Sequence, residues 1–280
     1  MTHILVVANE TAASRSLLDA VKREAHGGED LVTVLAPVNE PTGGYVVYDD
    51  TRRAAAGRRL DRTLAILREA GIAAHGLVVD ANPVDAVRDA LAQLDPPVDE
   101  IVVSTHPEQK SRWLRRHVVD RIRDAAGATP VKHVVADVAA EGGEKNVLVV
   151  ANETVVGEPL LERIRKRAAR GPVSFLLVCP QSDPTQAHHP EAERRLRRAL
   201  TALRAAGIDA HGQIAHPDPF TAAVQATKDE RIDELIVSTF PGERSGWLRR
   251  DLIERVRKET GLPVEHVVVE PEQVGAATAP

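Results

Sequence analysis

Short unbroken apolar runs, each closed by a polar or Gly/Pro turn, alternate along this chain with longer stretches whose apolar residues fall three and four apart. Ile4–Val7 and Val147–Val150 are runs of the first kind. Because they show no polar alternation, they predict strands buried on both faces, the pattern of a parallel sheet. Helices follow over 14–26 and 157–169, where Leu17, Leu18 and Val21, matched by Leu160, Leu161 and Ile164, form one apolar stripe. Gly28 and Gly171 supply their stops. The alternation continues with strands at 31–36 and 174–179, Arg-rich helices at 51–70 and 191–206, and strands at 72–79 and 208–215. Helices then open on Asn82-Pro83 and Asp218-Pro219, with Pro at the first helical position. Strands at 101–103 and 235–237, one more helix each, and closing strands at 131–137 and 264–270 complete the series.

The paired numbers mean that the chain is a tandem duplication. Residues 101–123 read IVVSTHPEQKSRWLRRHVVDRIR and residues 235–257 read LIVSTFPGERSGWLRRDLIERVR. Each half is β-α-β-α-β-α-β-α-β, so the fold class is α/β: two tandem doubly wound, Rossmann-like domains, each a five-stranded parallel sheet flanked by helices. Right-handed crossovers with a reversal of winding after the third strand set strand one beside strand four. The domains are expected at 1–138 and 146–270, with a Gly-containing linker at 139–145 and a flexible tail at 271–280.

Composition narrows the class of protein. A net charge of −5 speaks against a general nucleic-acid binder. The single cysteine, Cys179, rules out an internal disulfide framework, sits in an apolar run and is expected to pack as a small hydrophobe. Met1-Thr2-His3 leads straight into the first strand without a basic region, and no apolar run approaches the roughly 18 to 20 residues of a membrane span. A cytoplasmic protein with no membrane partner is expected.

Candidate chemistry gathers at the carboxyl ends of strands one and four, where helix-start N–H groups converge in such sheets. The first half places Asn9, Glu10, Thr11, Ser104, Thr105, Ser111, Arg112, Trp113, Arg115 and Arg116 there; the second places Asn152, Glu153, Thr154, Ser238, Thr239, Ser245, Trp247, Arg249 and Arg250. Ser111 and Ser245 are candidate N-caps. An indole beside an arginine pair could stack on a base while the guanidinium groups hold phosphate. The competing reading has Trp113 capping the core edge above a buried stripe of Leu114, Val118 and Ile122, and it is preferred. Asn9 and Asn152 suit either a ligand edge or a turn. His133 and His266, on the closing strands, are read as packed or hydrogen-bonded. His188, His189 and Glu191, or His211 and His216, lack the spacing of a zinc site, so no metal is expected. No nucleophile elbow, Lys-bearing phosphate loop or paired Cys motif is present, and no enzyme activity is expected.

The order of elements, the ILVVANET opening, the Asn82-Pro83 and Asp218-Pro219 turns, the loop after strand four and the closing PVxHVVV strand together resemble the universal stress protein family in its tandem form. The resemblance implies a stress-linked regulatory role and two halves packing as an intramolecular pseudo-dimer through or near their fifth strands, with a homodimer as a further option. It also implies a test for ATP, because members that bind it carry Gly-x2-Gly-x9-Gly-Ser/Thr after strand four and an Asp at the end of strand one. Here Ser104 and Ser238 stand at the first glycine, Pro107 and Pro241 at the second, and Asn9 and Asn152 replace the Asp. Side chains with a Cβ, and a Pro without N–H, remove the backbone cradle for phosphate. Glu10 and Glu153, if they face the cleft, would repel a triphosphate. ATP bound in the family's usual mode is therefore not expected. A small anion or another nucleotide held by arginines is, with a ligand-free interaction scaffold as the alternative and a nucleotide-binding enzyme with weak ATP hydrolysis as the second.

Overall fold

The computed structural model describes residues 2–25, 30–38, 45–46, 49–107, 113, 117–180, 189–242 and 251–271. They fall into two compact units, Met1–Asn39 with Arg53–Gly143, and Glu40–Arg52 with Glu144–Pro280.

The strands of the first unit are β1 (His3–Val7) and β2 (Leu31–Pro37); β3 (Tyr45–Val46) belongs to the second unit. After it come β4 (Ala73–Val79), β5 (Glu100–Thr105) and β6 (Val131–Val135). The helices are α1 (Arg15–Glu24), α2 (Asp49–Glu69), α3 (Pro83–Gln93) and α4 (Val118–Ala126). The sheet order is β4-β2-β1-β5-β6, parallel throughout. Winding runs outward from β1 to β4, then jumps back to β5, so a crevice opens between the carboxyl ends of β1 and β5.

Alternation along each strand sorts the core into two layers. Ile4, Val6, Val32, Val34 and Val102 pack with Leu17 and Val21 of α1 and Leu60, Leu64 and Leu67 of α2. Leu5, Val7, Ile101 and Val103 face Val84 and Val87 of α3 and Val118 and Ile122 of α4. Gly76 permits the close approach of α2, since a Cβ there would lie 2.6 Å from Leu60 Cδ1.

Local signals fix the helix starts. Ser14 Oγ accepts from Leu17 N at 3.3 Å. Asn82 Oδ1 accepts from Val84 N and Asp85 N at 3.0 and 3.2 Å. The segment expected as a linker also takes part: Glu141 accepts from Arg15 N at 2.7 Å and from Ser16 Oγ at 2.5 Å, so its carboxylate caps α1.

The second unit repeats the scheme with β7 (Lys145–Val150), β8 (Val173–Pro180), β9 (Ala210–Ala215), β10 (Glu234–Thr239) and β11 (Val264–Val268). A 3-10 turn (Glu153–Val156) precedes α5 (Glu158–Ala168), followed by α6 (Pro190–Ala205), α7 (Pro219–Asp229) and α8 (Leu252–Thr260). The five parallel strands are those the pattern predicts, but the sheet has six, in the order β11-β10-β7-β8-β9-β3. The sixth is β3, antiparallel to β9, with Tyr45 opposite Ile214 and Val46 opposite Gln213. The apolar pattern predicts no strand at 45–46; Tyr and Val are strand formers, and an open sheet edge offers them backbone partners. Residues 272–280, expected as a flexible tail, lie outside the described residues.

The amino end of β10 carries an ion-pair network: Glu234 accepts from Arg167 Nε at 2.8 Å and from Lys145 Nζ at 3.0 Å. The Arg167 hydrogen bond holds the Glu234 carboxyl down at about 2, against 4.5 for a free glutamate. A folded-state pKa below the unfolded one gives stability that is complete above about 4.5 and lost as the pH falls through about 2. We expect Glu234→Gln to be less stable than the native chain at neutral pH. In urea unfolding across an acid series, the gap should shrink steadily over that window.

Candidate functional site

At the carboxyl end of β1 the Asn9 side chain is held from two sides. Its Nδ2 donates to Pro37 O at 2.7 Å, tying it to the end of β2, and its Oδ1 accepts from Arg59 Nη1 of α2 at 2.9 Å. Both side chains are buried, so the guanidinium and the amide satisfy one another away from water. The next residue, Glu10, turns its carboxylate to His106, just past β5; His106 Nε2 donates to Glu10 Oε2 at 3.1 Å. The two side chains are 11% and 8% exposed. Thr105 Oγ1 donates to His106 O at 3.0 Å and lies 2.8 Å from His133 Nε2. With its one proton committed to the carbonyl, the hydroxyl accepts from a His133 Nε2–H.

Two buried polar atoms of this crevice have no partner among the described residues, Ser104 Oγ and His106 Nδ1. Strand alternation puts Ser104 and His106 on the same side of the sheet as Val102. Thr11, the residue after Glu10, is buried.

The second unit keeps half of this arrangement. Asn152 Oδ1 accepts from Arg195 Nη2 of α6 at 2.9 Å, and Thr239 Oγ1 lies 2.8 Å from His266 Nε2. Thr154 Oγ1 donates to Ser238 O at 3.2 Å, while Ser238 Oγ is buried without a partner among the described residues. The acid–imidazole pair is gone. Phe240 stands where His106 does, and Glu153 is exposed. Cys179 offers no nucleophile, because burial pushes its thiol up to about 12.

Several sequence expectations meet a definite environment. Trp113 is half-buried against the α3/α4 core layer, the packing alternative. His133 and His266 are hydrogen-bonded to threonines rather than free for chemistry. Glu10 does not stand bare in the cleft, since His106 takes its carboxylate. Ser111, Arg112, Arg115, Arg116, Ser245, Trp247, Arg249 and Arg250 lie outside the described residues. His211 pairs with Glu230 at 3.0 Å, and among the described residues no group of three or more His, Cys, Asp or Glu converges as for a metal. No described helix is long and apolar enough to cross a membrane.

Arg59, Arg195 and His106 escaped the sequence reading. The two arginines carried one usable signal, because they recur at equivalent places in the duplicated Arg-rich helices; His106, replaced by Phe240, carried none.

No protein-family model and no curated protein matches the chain. Among solved structures it is similar to a universal stress protein from Archaeoglobus fulgidus DSM 4304, at 15% identity and a TM-score of 0.38 over 96% of this chain and 97% of that one. It is also similar to sucrose-phosphate synthase from Thermosynechococcus elongatus (14%, TM-score 0.30, 98% of this chain and 83% of that one). A third likeness is to Acinetobacter baumannii MurG (10%, TM-score 0.24, 95% and 86%). The doubly wound fold rests on strand order and register, not on these likenesses.

Two measurements test the framework of the site. Asn9→Ala removes one hydrogen bond of a buried guanidinium and the amide bond to Pro37 O, and should cost about 1–3 kcal/mol in urea unfolding. Burial, reinforced by the charge of Arg123, lowers the pKa of His133, and burial lowers that of His266. Both are thus neutral in the fold; their contribution is complete above about 6.5 and is lost as the pH falls through the lowered values. The melting temperature should drop on acidification from about pH 7 to pH 5. The double variant His133→Gln, His266→Gln should show a shallower drop.

Proposed function

We propose that the chain is a regulatory protein of universal-stress-protein type whose first unit senses a small anion, or a nucleotide through its phosphate, held by side chains rather than by a backbone cradle. One observation carries the reading: the largely buried His106–Glu10 pair stands at the crevice of a doubly wound sheet, and two buried atoms of the same strand end, Ser104 Oγ and His106 Nδ1, are unpartnered among the described residues. Leaving such atoms unpaired costs about 1–3 kcal/mol each, which a ligand with matching groups recovers. Because His106 Nε2 donates to Glu10, Nδ1 meets an anion only through a doubly protonated ring, whose charge the Glu10 carboxylate balances. Pro107 and Pro241 lack the N–H that a phosphate loop would use at those positions. In the second unit Phe240 removes the imidazole, so the reading assigns one site to each chain.

The alternative, a scaffold that binds proteins without a small ligand, draws support from the arginine clamps, because Arg59 and Arg195 already occupy the asparagine amides that a base or ribose would meet. Neither reading includes a reaction.

Isothermal titration with inorganic phosphate, AMP, ADP and ATP with magnesium separates the two. The sensor reading expects one equivalent bound per chain and thermal stabilisation of about 2.7 kcal/mol at a hundredfold excess over Kd. Binding should vanish in His106→Phe, which imports the second unit's residue, and survive Phe240→Ala. Absence of heat and of thermal shift with all four would leave the scaffold; binding that survives His106→Phe would place the ligand elsewhere.

A further inference from the structure

At the amino end of the first sheet, away from the crevice, three side chains form one line of hydrogen bonds. His3 Nδ1 lies 2.6 Å from Pro96 O, His3 Nε2 lies 2.7 Å from Thr33 Oγ1, and Thr33 Oγ1 lies 3.0 Å from His75 Nε2. Thr33 is the register partner of His75 across β2 and β4, and His3 shares their face of the sheet. His3 and Thr33 are 1% and 0% exposed, whereas His75, on the outermost strand, is exposed.

The partners fix the protons. A carbonyl only accepts, so His3 Nδ1 carries hydrogen. In the neutral ring Nε2 then accepts from the Thr33 hydroxyl, which spends its one proton there and accepts in turn from His75 Nε2–H. The nitrogen left bare is Nδ1 of His75, on the exposed side chain. A proton taken up there reverses the line: N–H forms at His75 Nδ1 and breaks at His75 Nε2, that proton passes to Thr33 Oγ1, and the hydroxyl's own proton passes to His3 Nε2. The products are a charged His3 and a neutral His75 of the other tautomer, with the same three hydrogen bonds, two of them turned round.

The surroundings favour charge at the buried end. Asp99 Oδ2 accepts from His3 N at 2.8 Å and Asp30 Oδ1 from Thr2 N at 2.6 Å, which sets two carboxylates beside the residue. Asp95, before Pro96, is exposed. From α3 and α4 this face receives Val87, Ala90, Ile122 and Ala126, while Glu100 belongs to the opposite face and is tied to Lys132. Opposite charge supports an imidazolium at His3, and Pro96 O gives it a charge-assisted bond. Burial first, and then the charge of His3, lower the pKa of His75. Two charged rings on one hydroxyl would repel, so the pair holds a single proton.

The second unit keeps the anchor without the line. Asn146 stands at the place of His3, its Nδ2 donating to Arg231 O at 2.9 Å and its backbone N–H to Asp233 Oδ2 at 2.9 Å. Leu176 replaces Thr33, and His211, opposite it on β9, turns to Glu230 at 3.0 Å. An amide that does not titrate is thus enough to hold the turn before β10, so the hydroxyl and the second imidazole of the first unit serve something more than anchorage.

We propose that His75, Thr33 and His3 form a proton relay through which the first unit senses pH, one proton entering at the exposed ring and resting on the buried one. The charged ring grips Pro96 O more strongly, so the connection from α3 to β5 is held more firmly in acid than at neutral pH.

Nitrogen NMR of the histidine rings in the full chain, followed from about pH 8 to about pH 5, tests this. His3→Asn, the second unit's residue, and His75→Gln assign the signals by their loss. In the native chain His3 should begin as the Nδ1–H tautomer and His75 as the Nε2–H tautomer. Acid should charge His3 and move His75 to Nδ1–H with one shared midpoint. Thr33→Val keeps the branched shape and removes the hydroxyl; in it His3 should stay neutral while His75 takes the charge. His75→Gln closes the entrance, so exchange of His3 between its two forms, averaged in the native chain, should slow at least tenfold and split the signal. Charge that settles on His75 in the native chain, two protons taken up by the pair, or a His3 titration unchanged by Thr33→Val overturns the proposal. If Thr33→Val does not fold, His75→Gln decides: a His3 signal still averaged there overturns the relay.

Discussion

A guanidinium reaching from the second helix to the amide that ends the first strand organises the carboxyl edge of each sheet. Parallel strands buried on both faces leave the core only at their ends, so the turn after β1 must satisfy its polar groups there. Asn9 does this by donating to the end of β2 and accepting from Arg59, and Asn152 accepts from Arg195 in the same way. Arg59 is buried, where an unpaired guanidinium would be costly. Strand end, neighbouring strand and helix are therefore fixed to one another before any ligand is considered. Glu10 and His106 stand on that frame.

The two copies have kept the frame and changed what it carries. Clamp, threonine–histidine pair and buried serine recur at equivalent places. The acid–imidazole pair and the line of hydrogen bonds through His3, Thr33 and His75 belong to the first copy alone, answered in the second by Phe240 and by Asn146, Leu176 and His211. Differences that fall on polar or exposed positions, over an apolar scaffold held constant, are what divergence of role rather than of fold produces.

Much of the architecture was readable because its cause is local. Apolar runs such as Ile4–Val7 have no other stable use than a doubly buried strand, and Asn82-Pro83 or Asp218-Pro219 can do little but start a helix. What escaped depends on contacts between residues far apart in the chain. Arg59 looks like any other arginine of an Arg-rich helix until the fold sets it against Asn9, fifty positions away. The pairing of Tyr45 and Val46 with β9 has no signature beyond strand propensity, because two residues are too few for a period. For His106 even the repeat gave no help, the second copy having lost it.

Glu141 shows that the seam of the duplication is not a seam of the fold. It lies in the connector between the copies, yet its carboxylate takes the N–H and hydroxyl at the opening of α1, some 125 residues earlier. An isolated first half that stops with its last strand would expose a frayed helix beside the crevice, so any attempt to split the protein between its two halves has to leave Glu141 with the amino-terminal piece.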